Sequence, residues 1–334
     1  MQIISIYNKK GGVGKTTLCF NLASIIAQYQ HKRVLIIDAD PSAFLSMTFA
    51  QAINRPLVNN RIPMDDSLYD YIFRDLPFED VVRHYQFDRF TGDIFRVAEE
   101  HKKSKSVRVF SLAKDKITTS EKPESAVDGR SSTRNCCVDF ISGDGRFEEK
   151  SPDDPYVLQK KLEEIRNLYD VVFIDSPPEK VNTQPFSLIA SNAIIAPLVP
   201  DFYSAKGYAD VLDDVSDVNQ RFKTSIRFLG IVFSHFKIDS LTSKYIDRLI
   251  QIAAPNDYLF RDTFDDRSLT AKALAVGIPV GVFVNAARDI ASTMTQEELR
   301  HASENASDYE LKNSAMSYLS MSIELQQKTA DYTR

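Results

Sequence analysis

The chain has 334 residues, 43% of them apolar and 26% charged. That composition excludes global disorder and supplies a large buried core. No stretch approaches the ~18 consecutive apolar residues of a membrane-spanning helix. The 41 basic and 46 acidic residues leave a net charge of −5. An acidic total argues against a uniformly basic surface but permits a local basic patch. The three cysteines, Cys19, Cys136 and Cys137, cannot form a disulfide framework, and the adjacent pair lacks zinc-ligand spacing. A cytoplasmic, reducing location is therefore expected.

Strands and helices alternate from the start. Residues 2–7 are a β-rich run that reads as a first strand rather than a signal peptide. Residues 16–30 place Leu18, Leu22, Ile25, Ile26 and Tyr29 on one helical face. Val34-Leu35-Ile36-Ile37 is a continuous apolar strand ending at Asp38. Such strands are buried on both faces, which predicts a mostly parallel sheet with helices on both sides. The pattern returns at Val171-Val172-Phe173-Ile174 before Asp175, at Ala193-Ile194-Ile195-Ala196, and at residues 228–233.

Two regions break the rhythm. Residues 99–134 are polar, with nine Lys/Arg against six Asp/Glu. They read as a solvated insertion, the alternative being a basic arm for a partner. The tail from about Thr295 has a helical pattern, but Leu311, Met316, Leu319 and Ile323 form only a weak apolar stripe. The predicted organisation is one α/β unit over residues 1–290, interrupted at 99–134, and a helical tail over 291–334.

Lys10-Gly11-Gly12-Val13-Gly14-Lys15-Thr16-Thr17 joins the first strand to the first helix. Small residues let backbone N–H groups curl around phosphate oxygens, and the helix N-terminus adds partial positive charge. Strand, loop, Gly-Lys-Thr and helix in this order predict a nucleotide phosphate site. Lys15 reaches the β- and γ-phosphates, the Thr16 hydroxyl joins the Mg²⁺ shell, and Thr17 meets the α-phosphate. Asp38 and Asp40 in Asp38-Ala39-Asp40-Pro41, and Asp175 in Asp175-Ser176-Pro177-Pro178, follow strand ends, where α/β sheets bind ligands. Mg²⁺ favours carboxylates and water, and Asp38 suits its outer shell.

The loop has Lys9 where the standard pattern has its first glycine, and Lys10 directly before the glycine pair. In this it resembles the ParA/MinD family of deviant Walker ATPases, whose loop reads Lys-Gly-Gly-x-Gly-Lys-[Ser/Thr]. The Asp-x-Asp-Pro segment, with Ser42 in place of a frequent Gln, and the Asp-x-Pro-Pro segment resemble the family's switch and Walker B motifs. Looser likenesses extend over residues 196–207 and 259–280. The resemblance covers about residues 1–50 and 138–285.

It implies a P-loop NTPase fold and an ATPase using ATP and Mg²⁺. It also implies a homodimer that forms on ATP binding, nonspecific DNA binding, and a ParB-like or other adaptor that stimulates hydrolysis. Lys10 would reach the partner's phosphates, Asp40 would orient the attacking water, and Asp175 would hold Mg²⁺ through water. Lys237, Lys244, Arg248, Arg267 and Lys272 are candidate DNA-phosphate contacts. The expected function is partition or positioning, with a nucleoid-associated cytoplasmic location and no stable membrane insertion. A MinD-like membrane switch needs a basic amphipathic tail, yet residues 296–334 hold seven acidic and four basic residues. An ATP-dependent metabolic synthetase on the same fold is the other alternative.

Overall fold

The computed structural model describes residues 1–52, 66–87, 136–178, 184–234, 240–263, 279 and 306–330. Seven strands form one sheet in the order β3-β4-β2-β5-β1-β6-β7. They are β1 (Gln2–Ile6), β2 (Val34–Asp38), β3 (Val82–Phe87), β4 (Cys136–Ile141), β5 (Val171–Asp175), β6 (Ala193–Leu198) and β7 (Arg227–Phe233). Every pairing is parallel except that of edge strand β3 with β4. The described helices are α1 (Lys15–Gln30), α2 (Phe44–Ala52), α3 (Leu68–Phe73), α4 (Phe78–Val81), α5 (Val157–Glu164), α6 (Gln184–Ile189), α7 (Ser204–Phe222), α8 (Ser240–Ala253) and α9 (Ala306–Ala330).

Side chains alternate across the sheet as strand geometry requires. Ile36 and Phe173 join α1 in one apolar cluster. Leu35, Ile37, Val172 and Ile174 point the other way, onto Leu158 and Leu162 of α5 and Phe186 of α6. A third cluster packs α7 and α8 against β6 and β7. The register aligns Asp38 with Asp175, and Asp175 with Ile6. The ends of β1, β2 and β5 therefore meet at one edge of the sheet, which places the loops after them together.

Two sequence expectations change. The predicted one-sided α1 is buried nearly all round, from Thr17 to Ala27. Its outer side is covered by α9, whose Tyr318, Met321 and Leu325 are buried in the α1 cluster. The Gln30 side-chain amide also donates to the Ser322 carbonyl at 2.9 Å. The predicted tail stripe is met only in part: Leu319 packs against the cluster and Ile323 is exposed, while the buried positions are 318, 321 and 325. The side chains of Leu311 and Met316 lie outside the described residues. Burying each large apolar side chain contributes about 1.5–3 kcal/mol, so α9 is integral to the core on that face.

Strands β3 and β4 carry no marked apolar run. β4 is interrupted by Asp139, whose carboxylate accepts from the Tyr169 hydroxyl and pairs with His84 Nδ1. This polar tie adds to the apolar packing of the sheet's edge, where Tyr85, Val138 and Phe140 join the α1 cluster and Val82 and Ile141 the opposite one. The 99–134 insertion and most of the late 259–280 segment lie outside the described residues. Leu259 forms a parallel bridge with Ile231, and Pro279 is buried.

Candidate nucleotide site

The phosphate loop lies between β1 and α1, at the sheet edge set by the register. Gly12 and Gly14 have φ of 69° and 86°, the left-handed region that glycine adopts without a Cβ clash. Gly14 caps α1 without any side-chain hydrogen bond, and no acidic residue stands in the first turn. The positive end of a 16-residue helix is therefore left to an external anion. Val13 is buried, and its carbonyl accepts from the buried Ser234 hydroxyl at 2.8 Å. That contact pins the second half of the loop.

Lys15 is buried, and its Nζ donates to the Lys10 carbonyl at 3.2 Å. Burial lowers its pKa, against the attraction of Asp175 and Asp40. The Thr16 hydroxyl donates to Asp175 Oδ2 at 2.7 Å. Asp175 Oδ1 is buried without a hydrogen-bond partner among the described residues. Asp38 is fully buried, and its Oδ2 accepts from Ser46 N at 2.8 Å and from the Ser46 hydroxyl at 2.6 Å. Its Oδ1 accepts from Asp40 N at 3.1 Å. Burial, with Asp40 adding to it and the Ser46 bonds opposing it, raises the Asp38 pKa to about 7. Burial and then Asp38 push the Asp175 carboxyl well up. Two buried acids side by side are costly without a cation.

The donor set fits Mg²⁺. Thr16 and Asp175 offer hard oxygens, and Asp175 Oδ1 is a buried acceptor that meets no donor among the described residues. No group of three or more His, Cys, Asp or Glu suited to a metal occurs among the described residues. Asp40 is less buried than Asp38, and its Oδ1 accepts from Ser42 N at 2.9 Å, so Ser42 closes a turn at this position.

The fold brings Lys15, Thr16, Asp38, Asp40 and Asp175 together, while the Lys10 side chain leaves the loop to pair with Asp201. Lys244 and Arg248 are exposed on α8. Lys237, Arg267 and Lys272 lie outside the described residues.

Sequence reasoning did not single out Ser46 or Gly143. A Cβ on Gly143 would stand 2.9 Å from Asp38 Cγ and 2.9 Å from the Asp40 carbonyl oxygen. Gly143 N donates to the Ser46 hydroxyl at 2.8 Å. Its turn is held by Arg146, which reaches Asp70 Oδ2 at 2.6 Å and Asp144 Oδ2 at 2.5 Å. Gly143 follows β4, a strand the apolar pattern does not mark, so the sequence gives no cue that it meets Asp38.

Solved structures share this architecture. The chain is similar to apo McdA of Cyanothece, with a TM-score of 0.59 and 18% identity over 87% of this chain and 95% of that one. It is similar to a putative plasmid partition protein of Borrelia burgdorferi B31 bound to AMPPNP, with a TM-score of 0.58 and 16% identity over 98% of each chain. Fold and loop together define a P-loop NTPase. A family model described as an AAA domain matches residues 1–228. The sporulation initiation inhibitor protein Soj of Bacillus subtilis is 26% identical over 233 residues, 70% of this chain and 72% of Soj. The chain belongs to that AAA domain family and is a P-loop ATPase of the ParA/MinD type.

Proposed function

We propose that the protein is a ParA-like ATPase that dimerises on Mg²⁺·ATP, binds DNA nonspecifically in that state, and releases it after hydrolysis. The observation that carries the nucleotide part is the uncapped α1 N-terminus beside the orphaned Asp175 Oδ1. Similarity to Soj and to the Borrelia partition protein supports the positioning role.

Lys15 and the loop N–H groups hold the β- and γ-phosphates. Thr16 and Asp175, with Asp38 behind them, would hold Mg²⁺, which when bound would neutralise charge on the phosphate oxygens. Asp40 orients a water for attack on the γ-phosphorus. The bond from that phosphorus to the β,γ-bridging oxygen breaks, giving ADP and inorganic phosphate. Lys10, supplied across the dimer, stabilises the charge that develops on the transferred group.

No helix among the described residues is long and apolar enough to cross a membrane. Tyr318, Met321 and Leu325 of α9 are buried in the α1 cluster rather than turned outward. This weighs against the MinD-like alternative. A cytoplasmic site of action and a hydrolysis-stimulating adaptor complete the proposal.

The test is phosphate release from mixtures of Lys10→Ala and Asp40→Ala chains. Each alone is expected to be inactive. A mixed dimer holds one site with Asp40 and a Lys10 from its partner, so activity returns. If sedimentation shows mixed dimers and no activity returns, the trans role of Lys10 is wrong.

A further inference from the structure

Four consecutive residues at the entry to the phosphate loop are bonded to one stretch of chain. Tyr7 N donates to the Ile195 carbonyl at 2.9 Å, and the buried Tyr7 hydroxyl donates to Asp214 Oδ2 at 2.8 Å. The Asn8 side-chain amide donates to the Pro197 carbonyl at 2.8 Å, and Asn8 Oδ1 accepts from Lys10 N at 2.8 Å. Lys9 Nζ pairs with Asp214 Oδ1 at 2.6 Å. Lys10 Nζ pairs with Asp201, whose Oδ1 accepts from Tyr203 N at 2.9 Å at the start of α7. All these partners belong to β6, α7 or the turn between them.

The second half of the loop is held elsewhere. Val13 is tied to Ser234 after β7, and Lys15 and Thr16 already belong to α1. The loop thus has two anchors, Ser234 and α1 for the phosphate cradle and β6 with α7 for the base from which Lys10 extends, joined where Lys15 Nζ meets the Lys10 carbonyl.

The two lysine pairs are not equivalent. The Lys10 side chain is 49% exposed and its partner Asp201 34%. An exposed pair of this kind is weak and exchangeable. Lys9 and Asp214 are 30% and 19% exposed, and a hydroxyl from a fully buried ring completes the Asp214 carboxylate. A charge-assisted bond in that setting is firmer. Movement of Lys10 from Asp201 toward a phosphate would leave the Lys9 tie in place.

We propose that Asp214 is a positioning residue for hydrolysis: through Lys9 and Tyr7 it moors the loop entry to α7 and sets the base from which Lys10 reaches the partner's phosphates. This deepens the trans role proposed for Lys10 and rests on it. Lys9 occupies the place of a standard loop glycine, and the Asp214 tie gives that departure a purpose.

The arrangement predicts a split in kinetic parameters. Asp214→Asn keeps the shape and an acceptor for Tyr7 but removes the charge that holds Lys9. Turnover by the ATP-bound dimer is expected to fall about tenfold, because small misplacement of a reacting group costs that much or more. The KM for ATP is expected to stay within about twofold, because the cradle keeps its own ties to Ser234 and α1. Lys9→Gln should give the same result, and the double variant should be no worse than either single one. Asp214→Glu should recover part of the loss.

Urea unfolding of each variant separates positioning from general stability. An unchanged kcat in Asp214→Asn overturns the inference, and so does a rise in KM that matches the fall in kcat/KM. Lys10→Ala is measured alongside. If Lys10→Ala turns over normally, the trans reading itself fails. If Lys10→Ala is inactive while Asp214→Asn is normal, only the mooring role fails.

Discussion

Replacing Gly143 by alanine tests whether the loop after β4 braces the carboxylates of the site. The added Cβ would lie 2.9 Å from Asp38 Cγ, 2.9 Å from the Asp40 carbonyl oxygen and 3.1 Å from the Asp38 carbonyl oxygen. Comfortable contacts lie near 3.5–4.0 Å, so something must retreat by about 0.5 Å or more. Two of the three atoms are backbone, and Asp38 ends a strand paired on one side with β5. Its side chain is also fixed by Ser46. Overpacking against such neighbours costs about 1–3 kcal/mol. That range corresponds to roughly a fivefold to 150-fold shift in the unfolding equilibrium. Urea denaturation should show a lower midpoint with an unchanged slope. Calorimetry should show Mg²⁺·ATP binding weakened about tenfold, because Asp38 and Asp40 move together. Gly11→Ala is the contrast, since no atom of the described residues lies within 4 Å of its added Cβ. Its stability should change by less than about 0.5 kcal/mol, while the methyl group obstructs phosphate and weakens nucleotide binding. Wild-type stability in Gly143→Ala, or a large loss in Gly11→Ala, would refute the reasoning.

Lys15→Ala should abolish Mg²⁺·ATP binding by calorimetry, and tight binding by that variant would remove the phosphate assignment. Thr16→Val removes the hydroxyl that donates to Asp175; Mg²⁺-dependent enhancement of ATP affinity should drop, while ATP binding in EDTA changes little. Met321→Ala empties a fully buried position on α9 and should cost about 2–5 kcal/mol in urea unfolding, which a tail unimportant to the core would not. The Asp139 hydrogen bond raises the His84 pKa, against burial. A raised folded value means the stabilisation is present below the unfolded histidine value of about 6.5 and is lost as pH rises through the folded one. Thermal midpoints of the wild type should therefore decline across that window, and His84→Gln should lack the step.

The center of the sheet was legible because buried parallel strands are continuous apolar runs, and β2, β5 and β6 are such runs. The site was legible for a related reason: its residues sit at strand ends and in a short loop, so local spacing carries their geometry. What was not legible depends on contacts distant in sequence. Nothing near Gly143 announces that it meets Asp38. Nothing near Lys9 announces Asp214. Helix α1 is apolar on nearly all sides because α9 covers it, and that cover comes from some 300 residues away. The tail stripe was met only at Leu319 among the described side chains, because the buried positions include Tyr318 and the small Ser322, which a search for aliphatic periodicity passes over.

The central claim is that nucleotide state, rather than total charge, controls attachment to DNA. Asp40→Ala should retain ATP without hydrolysing it, which holds the dimer closed. Closure brings two copies of any basic patch onto one duplex, raising affinity and steepening its salt dependence. Lys244 and Arg248, exposed on α8, are the described candidates for that patch. The decisive measurement is the affinity of Asp40→Ala for nonspecific duplex DNA with ATP, with ADP and without nucleotide, each over a range of salt. The account predicts binding with ATP that falls steeply with salt and is lost in the other two states. Equal binding in all three states, or none in any, would contradict it.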